Sequence, residues 1–342
     1  MKYLTYFVIA CLTILLPFSQ KLIPKSEKVG TITSISELKS DPLPHRLAQV
    51  QKDSEVVTAV LYDTNIQYME GDEVVLQTDP QFENLYSVTD KVRTGALLKL
   101  FILFVIVILL ISGEAGLRSL LGLLFSFSII FKFVLPQILL GSNPLTVALL
   151  ASFVILLVSY LLTHGVSNKT MIAIFGTFGA LIVTGVLALL YAKAASLSGF
   201  SSEEVAFLIG NIKQDSFYNL MLAGIIIGSL GVLDDITISQ ASIVSELSEA
   251  NHRLGIAELY KRAMNIGRDH ISSLVNTLVL VYAGSALPLL LLFVTSQATP
   301  IDLLNYEVVA EEIVRTLVST IGLVTAVPIT TMIASYWYGS KR

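Results

Sequence analysis

Residues Phe217 to Glu249 read FYNLMLAGIIIGSLGVLDDITISQASIVSELSE, and they combine the pattern of a membrane-spanning helix with two adjacent acids. The sixteen residues from Phe217 to Val232 carry no charge, and Asp234 and Asp235 follow before the apolar character has ended. A carboxylate at the edge of a bilayer's hydrocarbon, or inside it, costs roughly 2.5–3.5 kcal/mol on insertion scales. This acid pair is therefore the first candidate for a functional site.

The helix is predicted to continue beyond the acid pair with two different faces. One face stays apolar, through Ile236, Ile238, Ile243, Val244 and Leu247. Polar residues recur at helical spacing on the other face, at Asp235, Ser239, Ser242, Glu246 and Glu249. One polar stripe is therefore expected to run from the acid pair towards the cytosolic end of the helix.

The acid pair is the main candidate for proton coupling. Two neighbouring carboxylates do not both ionise readily in a poor dielectric, so one of them is suited to exchanging a proton during transport. Asp235 is favoured over Asp234 because it heads the polar stripe. The alternative stays open that Asp234 caps the helix or faces the cytosol and that Asp235 is a solvated acid at the helix end.

Other polar residues nearby are candidates to help the acids. Asn276 is expected in the first turns of the next span and is the best partner to name, although an amide in hydrocarbon more often holds two helices together. Gln240 lies on the same helix but off the stripe. Ser239 and Ser242 are candidate relays, with bonding to the backbone carbonyl four residues back as the alternative.

Small residues predict where helices pack closely. Gly176 and Gly179 lie in one apolar run, and Gly224 and Gly228 lie in the acid-bearing helix, where they match the GxxxG pattern. Such faces let two helix backbones approach each other in a membrane. We expect helix packing at both pairs.

The run GVLDDITISQASIVSEL, residues 231–247, resembles the YibE/F-like family of bacterial polytopic membrane proteins, together with the long hydrophobic segments around it. The resemblance covers most of the chain from about Gly95 onward. It implies a fold group in a bacterial cell membrane and little chemistry. A looser likeness is to SecD, SecF and the resistance-nodulation-division transporters. It rests on IIIGSLGVLDDITIS followed by AELYKRAMNIGRDHISSLVNTLVLVYAGSALPLLLLF, and it implies ion-coupled transport or export.

Composition excludes several classes of protein. With 342 residues, 54% hydrophobic and 14% charged, and a mean hydropathy of +0.75, the sequence is typical of a membrane protein. The single Cys11 cannot form an intramolecular disulfide, and none of the four histidines stands in a close pair, so no metal is expected. The sequence lacks the basic patch with interleaved aromatic residues that would indicate nucleic-acid binding.

Catalytic motifs are missing as well. The sequence has no GxxxxGK[ST] phosphate loop, no HExxH and no GxSxG, which disfavours ATP-driven transport within this chain and the commoner membrane hydrolases. An intramembrane aspartyl protease would need acids from separate spans, whereas these two are adjacent and about 100° apart on one helix. The chain is therefore not expected to be an enzyme or to need a cofactor.

The chain is predicted to have three parts. Residues 1–20 are interpreted as an uncleaved signal anchor in preference to a removed signal peptide, because no small-x-small cleavage site follows the apolar run. Residues 28–92 show short β-branched runs with turn punctuation, which predict a small β-rich, OB-like domain outside the membrane. Residues 95–342 are predicted to form a seven-helix transmembrane domain.

The expected fold is a membrane all-α bundle of about eight transmembrane helices with the small extracytoplasmic β-domain. The spans of the body are placed near 96–112, 117–139, 145–163, 170–192, 216–238, 272–295 and 313–336, and the anchor makes the eighth. Amphipathic segments near 193–215 and 249–271 are not expected to span. The first is expected as a helix at the outer interface, and the second as a surface helix whose apolar side rests on the membrane or on the bundle.

Loop charges predict the orientation. Most of the Lys and Arg residues near span ends fall on one side of this topology, at Lys2, Arg118, Lys169, Arg253, Lys261, Arg262, Arg268, Lys341 and Arg342. The loop 296–312 on the other side has four acids and no Lys or Arg. By the positive-inside rule both termini are cytoplasmic and the β-domain is extracytoplasmic.

Two functions of different classes remain. The first is an ion-coupled transporter or export component whose substrate the sequence does not identify. The second is a non-transporting scaffold that assembles in the bilayer, as a homo-oligomer or with another membrane protein, through its glycine faces and outer domain. An intramembrane enzyme ranks third.

Overall fold

The computed structural model describes residues 28–38, 45–52, 55–62, 66–78, 86–201, 203–210, 212–213, 216–295 and 299–340. The expected anchor at 1–20, with Lys2 and Cys11, lies outside the described residues, as do Lys341 and Arg342. The chain divides after Gly113 into two compact units, and each is described by itself.

The first unit contains a small closed β-barrel, which confirms the β-rich domain expected from the sequence. Its five strands are β1 (Lys28–Leu38), β2 (His45–Lys52), β3 (Glu55–Leu61), β4 (Glu73–Thr78) and β5 (Tyr86–Lys91). They close in the order β1-β2-β3-β5-β4, and β1 pairs with both β2 and β4. All pairs are antiparallel except β3 with β5.

The barrel core follows from the alternation of apolar residues in the strands. Inward-facing side chains from all five strands are buried, among them Ile32, Val50, Leu61, Leu76 and Val88. Before β4 the chain reverses at Gly71, whose φ of 92° is a left-handed conformation that favours glycine.

The second unit is helical, and its first helix begins in the first unit. This helix, α1 (Thr94–Ile129), is broken at Gly113, where φ is 53° and ψ is −127°. A π-helical turn (Ile130–Val134) and the short α2 (Leu135–Leu139) continue its path. The remaining helices are α3 (Pro144–His164), α4 (Asn168–Ala194), α5 (Glu203–Ala206), α6 (Ser216–Ala250), α7 (Ile256–Ser285), α8 (Leu287–Thr295), α9 (Pro300–Asn305) and α10 (Glu307–Gly339).

Five helical segments of the described chain are long and apolar enough to cross a membrane. They are Thr94–Leu139, Pro144–His164, Asn168–Ala194, Ser216–Ala250 and Glu307–Gly339. The predicted spans 96–112 and 117–139 both fall in the first of them, on either side of Gly113. The predicted span 272–295 is divided between α7 and α8 at Ala286 and is not among the five.

The two segments expected on the membrane surface differ in structure. The segment 193–215 begins with the last turn of α4 and otherwise contains only the four-residue helix α5 in its described part. The segment 249–271 begins where α6 ends and then enters α7, which continues without a break to Ser285. Along α7, Leu259, Ala263 and Gly267 are buried, so this helix packs on the bundle.

The helical core forms around α10, which packs against α4, α6 and α7. Glycines allow its approach to α4, because a β-carbon at Gly176 would overlap the side chain of Thr330. A β-carbon at Gly179 would lie 3.1 Å from the Cγ2 atom of Ile329. Gly224 and Gly228 differ, since no described atom outside their own helix lies within 4 Å of where a β-carbon would stand. The first glycine pair therefore lies in a helix contact, and the second faces away from the described structure.

Candidate functional site

A cavity of about 560 Å³ opens within the helical unit, between α1, the π-helical turn, α3 and α6. Hydroxyl groups line it at Ser119, Ser126, Ser159, Thr163 and Ser239. Three titratable residues complete its polar wall, namely His164, Asp234 and Asp235. No Lys or Arg is among the described residues that line it. Both acids singled out in the sequence therefore face one internal space.

The acids reach the cavity because α6 buries the residues on either side of them. Leu233 and Ile236 lie on one face of α6 and are packed in the core, so Asp234 and Asp235 point away from that face. Asp235 is exposed on the cavity wall, whereas Asp234 is half-buried. The Oδ1 atom of Asp234 is buried and has no hydrogen-bond partner among the described residues. One carboxylate is thus open to the cavity and the other is held in its wall.

A buried hydroxyl network holds the backbone at the acids. Tyr160 is fully buried on α3, and its hydroxyl donates to the backbone carbonyl oxygen of Asp234 at 3.1 Å. The same hydroxyl is hydrogen-bonded to Thr177 Oγ1 at 2.8 Å and to Thr237 Oγ1 at 2.5 Å. The two threonine hydroxyls are 2.7 Å apart. This network joins α3, α4 and α6 directly behind the acid pair.

A second space of about 430 Å³ lies next to the first. Both are lined by His164, Ile238 and Ser239, so these three residues form the wall between them. Ser242 and His270 line only the second space. The polar stripe predicted from the sequence therefore follows both spaces, at Asp235 and Ser239 in the first and at Ser239 and Ser242 in the second.

Two predicted partners of the acids lie elsewhere. Asn276 is exposed on α7 and lines neither space, so the structure does not bring it to the aspartates. Gln240 is fully buried on the other side of α6, where its Nε2 donates to Ala263 O at 3.1 Å and to Thr331 Oγ1 at 2.7 Å. Gln240 therefore ties α6 to α7 and α10. Tyr160 and His164, rather than these two amides, are the residues that lie near the acid pair.

Sequence reasoning missed Tyr160, Thr177 and His164. Each stands in or at the end of an apolar run, where a single tyrosine, threonine or histidine is more often a packed core residue than part of a site. The one available signal was polarity, since Tyr160 and His164 lie four residues apart on one face of a predicted span. The local sequence does not show which neighbouring helix this face contacts.

Carboxylates also form hydrogen bonds and ion pairs at the end of the helical unit where α4 ends and α10 begins. The Ser198 hydroxyl donates to Glu307 Oε1 at 2.7 Å, and the Gly199 backbone N–H donates to the same oxygen at 3.1 Å. Arg315 forms ion pairs with Glu311 at 2.6 Å and with Glu312 at 3.1 Å. The bonds to Glu307 hold the loop after α4 on the first turn of α10, whereas the Arg315 ion pairs lie within α10 itself. No group of three or more metal-ligating side chains occurs in the part of the chain described.

Comparison with known proteins gives a match over the helical part of the chain. The model of the family described as YibE/F-like protein matches residues 100–340, which include every residue of both spaces. The chain belongs to the YibE/F-like family. This confirms the resemblance expected from residues 231–247. No curated protein and no solved structure matches the chain.

In this YibE/F-like protein the cavity residues permit a limited chemistry. Carboxylates bind and release protons or attract cations, hydroxyls donate and accept hydrogen bonds, and the imidazole of His164 does both in its neutral form. No cysteine is among the described residues that line the cavity. The arrangement is therefore suited to holding a proton or a positively charged group.

Proposed function

We propose that this protein is a multi-pass transporter or export component of a bacterial cell membrane and that it is coupled to protons through Asp235 and Asp234. The observation that carries the proposal is the position of both carboxylates on the wall of the cavity within the helical unit. Acids within membrane-spanning helices are costly, and they commonly mark ion pathways and proton relays. The proposal includes no enzymatic activity.

In the proposed cycle Asp235 carries the proton. A proton arriving through the second space forms the neutral acid at Asp235 and later leaves to water, with Ser239 and Ser242 as hydrogen-bonding groups along the route. Asp234 differs, because its backbone is held by Tyr160 and its side chain is half-buried. The charge change at Asp235 alters the cost of exposing the cavity to each side of the membrane.

The proposed topology has eight spans. The parts of α1 before and after Gly113 would each cross the bilayer, the α7–α8 segment would cross once despite its break, and the apolar segment 1–20 would anchor the chain. The distribution of Lys and Arg in the loops supports cytoplasmic termini and an extracytoplasmic β-barrel. The barrel would then receive or hand off the substrate outside.

Complementation of a deletion phenotype tests the coupling. Asp235→Asn keeps the size and hydrogen bonding of the side chain but removes its titration, so it should accumulate normally and lose function. Asp234→Asn should be milder. Asp269→Asn, at an exposed acid on α7 that lines neither space, is the control. Full activity of Asp235→Asn at matched protein level would exclude proton coupling through this helix.

The second candidate is a scaffold that assembles with itself or with another membrane protein. It is favoured by the exposed glycine face at Gly224 and Gly228, since small residues at this spacing let another helix approach. If Asp235→Asn is fully active, this becomes the better proposal.

A further inference from the structure

The cavity that contains the acid pair has a polar end and an apolar end. At one level, Gly122 on α1 lies against Ser159 and Thr163 on α3, and Tyr160 reaches Asp234 on α6. Further along the same three elements, Val134 and Ala151 pack together with Ile227. The residues that line the cavity are arranged along the same direction. The acids and hydroxyls are concentrated at the first level, and Ile and Leu side chains continue to the second.

The polar end carries uncompensated negative charge. Neither Asp234 nor Asp235 forms an ion pair within the described residues, and the lining has no Lys or Arg. The buried Oδ1 atom of Asp234 also lacks a donor in the described chain. An occupant with N–H groups and a positive charge satisfies both deficits, whereas an anion is repelled by two carboxylates.

The apolar end is suited to a hydrocarbon body. Leu123, Ile130, Ile155, Ile227 and Leu230 supply it, and the nearby Ser126 donates its hydroxyl to the Gly122 carbonyl of its own helix at 2.9 Å. The volume of about 560 Å³ falls within the roughly 300–1,000 Å³ that is usual for small-molecule sites. A bare proton or metal ion would use only one end of this space.

We propose that the cavity binds a small amphipathic organic cation, with a protonated amine at Asp234 and Asp235 and an apolar body against the Ile and Leu side chains. The proposal rests on the proposed function, since it names the substrate class of the same site. The three N–H donors of the ammonium group reach the two carboxylates and a hydroxyl oxygen of Ser159 or Thr163. Release of the amine is then coupled to protonation of Asp235.

Ligand-dependent thermal unfolding of the purified full-length protein tests this. Three compounds share a phenyl ring on a short chain and differ in charge: the 2-phenylethylammonium cation, neutral 2-phenylethanol and the 3-phenylpropionate anion. We expect the cation to raise the Tm by about 2 °C or more at saturation, because only the folded state binds it, and the other two to leave the Tm unchanged. Equal shifts with all three compounds would overturn the proposal.

Matched variants place the binding in the cavity. Asp234→Asn combined with Asp235→Asn should abolish the shift, and Asp269→Asn should keep it. Leu123→Trp places a larger side chain in the cavity and should raise the ligand concentration for a half-maximal shift at least tenfold, whereas Leu124→Trp, at a comparably exposed neighbour outside the lining, should leave it unchanged. The leucine pair keeps the test valid if the double acid variant does not fold. A shift unaffected by Leu123→Trp would overturn the site.

The binding measurement is independent of transport. If Asp235→Asn is inactive in complementation but the cation causes no shift, the substrate class is wrong and proton coupling stands. If the cation binds and Asp235→Asn remains fully active, the binding site stands and the coupling mechanism is wrong.

Discussion

The hydroxyl of Tyr160 donates to the backbone carbonyl oxygen of Asp234 across the α3–α6 contact, at 3.1 Å. Because Asp234 and Asp235 are consecutive, this bond fixes the backbone that carries both acids. The carbonyl also accepts from the hydroxyl of Thr237 at 3.2 Å. The position of the acid pair therefore depends on a residue seventy-four positions earlier in the chain.

We expect Tyr160→Phe to destabilise the protein by about 1–3 kcal/mol, because it leaves buried hydroxyls at Thr177 and Thr237 with one partner fewer. The Tm of the purified protein measures the loss. Tyr191→Phe, at an exposed tyrosine on α4, should leave the Tm unchanged. Equal effects of the two substitutions would show that the network contributes nothing specific.

The two glycine pairs should respond differently to a larger side chain. Gly176→Leu forces a side chain into Thr330 and should cost about 1–3 kcal/mol in stability. A β-carbon at Gly228 would have no described atom outside its own helix within 4 Å, so Gly228→Leu should not lower the Tm of the monomer. If this face contacts another helix in an oligomer, crosslinking of Gly228→Leu will show fewer oligomers than the parent protein. A lowered monomer Tm for Gly228→Leu would mean that the face is covered within the chain.

The β-barrel should lose stability in acid through Asp72. The hydrogen bond from Lys91, at 2.6 Å, and that from the Met69 backbone N–H hold the pKa of Asp72 below its ordinary value of 3.8. A lowered folded pKa contributes stability that is present above about pH 3.8 and disappears as the pH falls through the folded value. Fragment 28–92 should fold alone as a β-rich unit, and Asp72→Asn should destabilise it at pH 7 but progressively less below pH 3.8.

Circular dichroism of the fragment during acid titration measures this difference. Glu70→Gln, in the same turn, removes an acid that forms no ion pair within the described residues and is the control. A constant difference between Asp72→Asn and the parent fragment across pH 2–7 would contradict the assignment. A disordered spectrum of the parent fragment would show that the barrel needs the rest of the chain or a partner.

Local patterns were enough to predict much of the fold and part of the site. The run from Phe217 to Glu249 is one helix, and the stripe from Asp235 through Ser239 to Ser242 does line the two neighbouring spaces, because helical periodicity can be read from consecutive residues. The barrel followed from alternation in the same way. Contacts between helices were harder, since Asn276 has the right residue type for a partner but lies on an exposed face of α7.

The missed residues have a common physical reason. Tyr160 and His164 act on the acids from another helix, and no local pattern states which faces of α3 and α6 meet. The glycine pairs illustrate the same limit, because Gly176 packs on Thr330 whereas Gly228 meets nothing within the described chain. Hydropathy alone predicts two separate spans in this part of the chain. The structure has one long helix there, which is broken at Gly113, where φ is 53°.

The proposed orientation predicts which side each unit occupies. In a Cys11→Ser background, a cysteine at Glu70 in the barrel should react with a membrane-impermeant thiol reagent from outside intact cells. A cysteine at Lys261, which is exposed on α7, should react only after the cells are opened. These outcomes follow from the excess of Lys and Arg in the loops assigned to the cytoplasm. Labelling of Lys261→Cys in intact cells would reverse the orientation and place the acid cavity towards the other compartment.

The last prediction concerns the wall between the two spaces. Ser159 lines only the first space and Ser242 lines only the second, so single cysteines at these positions report on either side of His164. In the Cys11→Ser background both should react with a small thiol reagent, whereas Ser245→Cys, at a position only 1% exposed, should not. His164→Trp places a larger side chain where the two spaces meet, so it should slow labelling at position 159 at least severalfold and leave position 242 unchanged. His270→Trp, on the second space alone, should instead slow labelling at position 242. If His164→Trp slows both positions equally, or neither, the two spaces are not separated at His164, and a proton would reach Asp235 by another route.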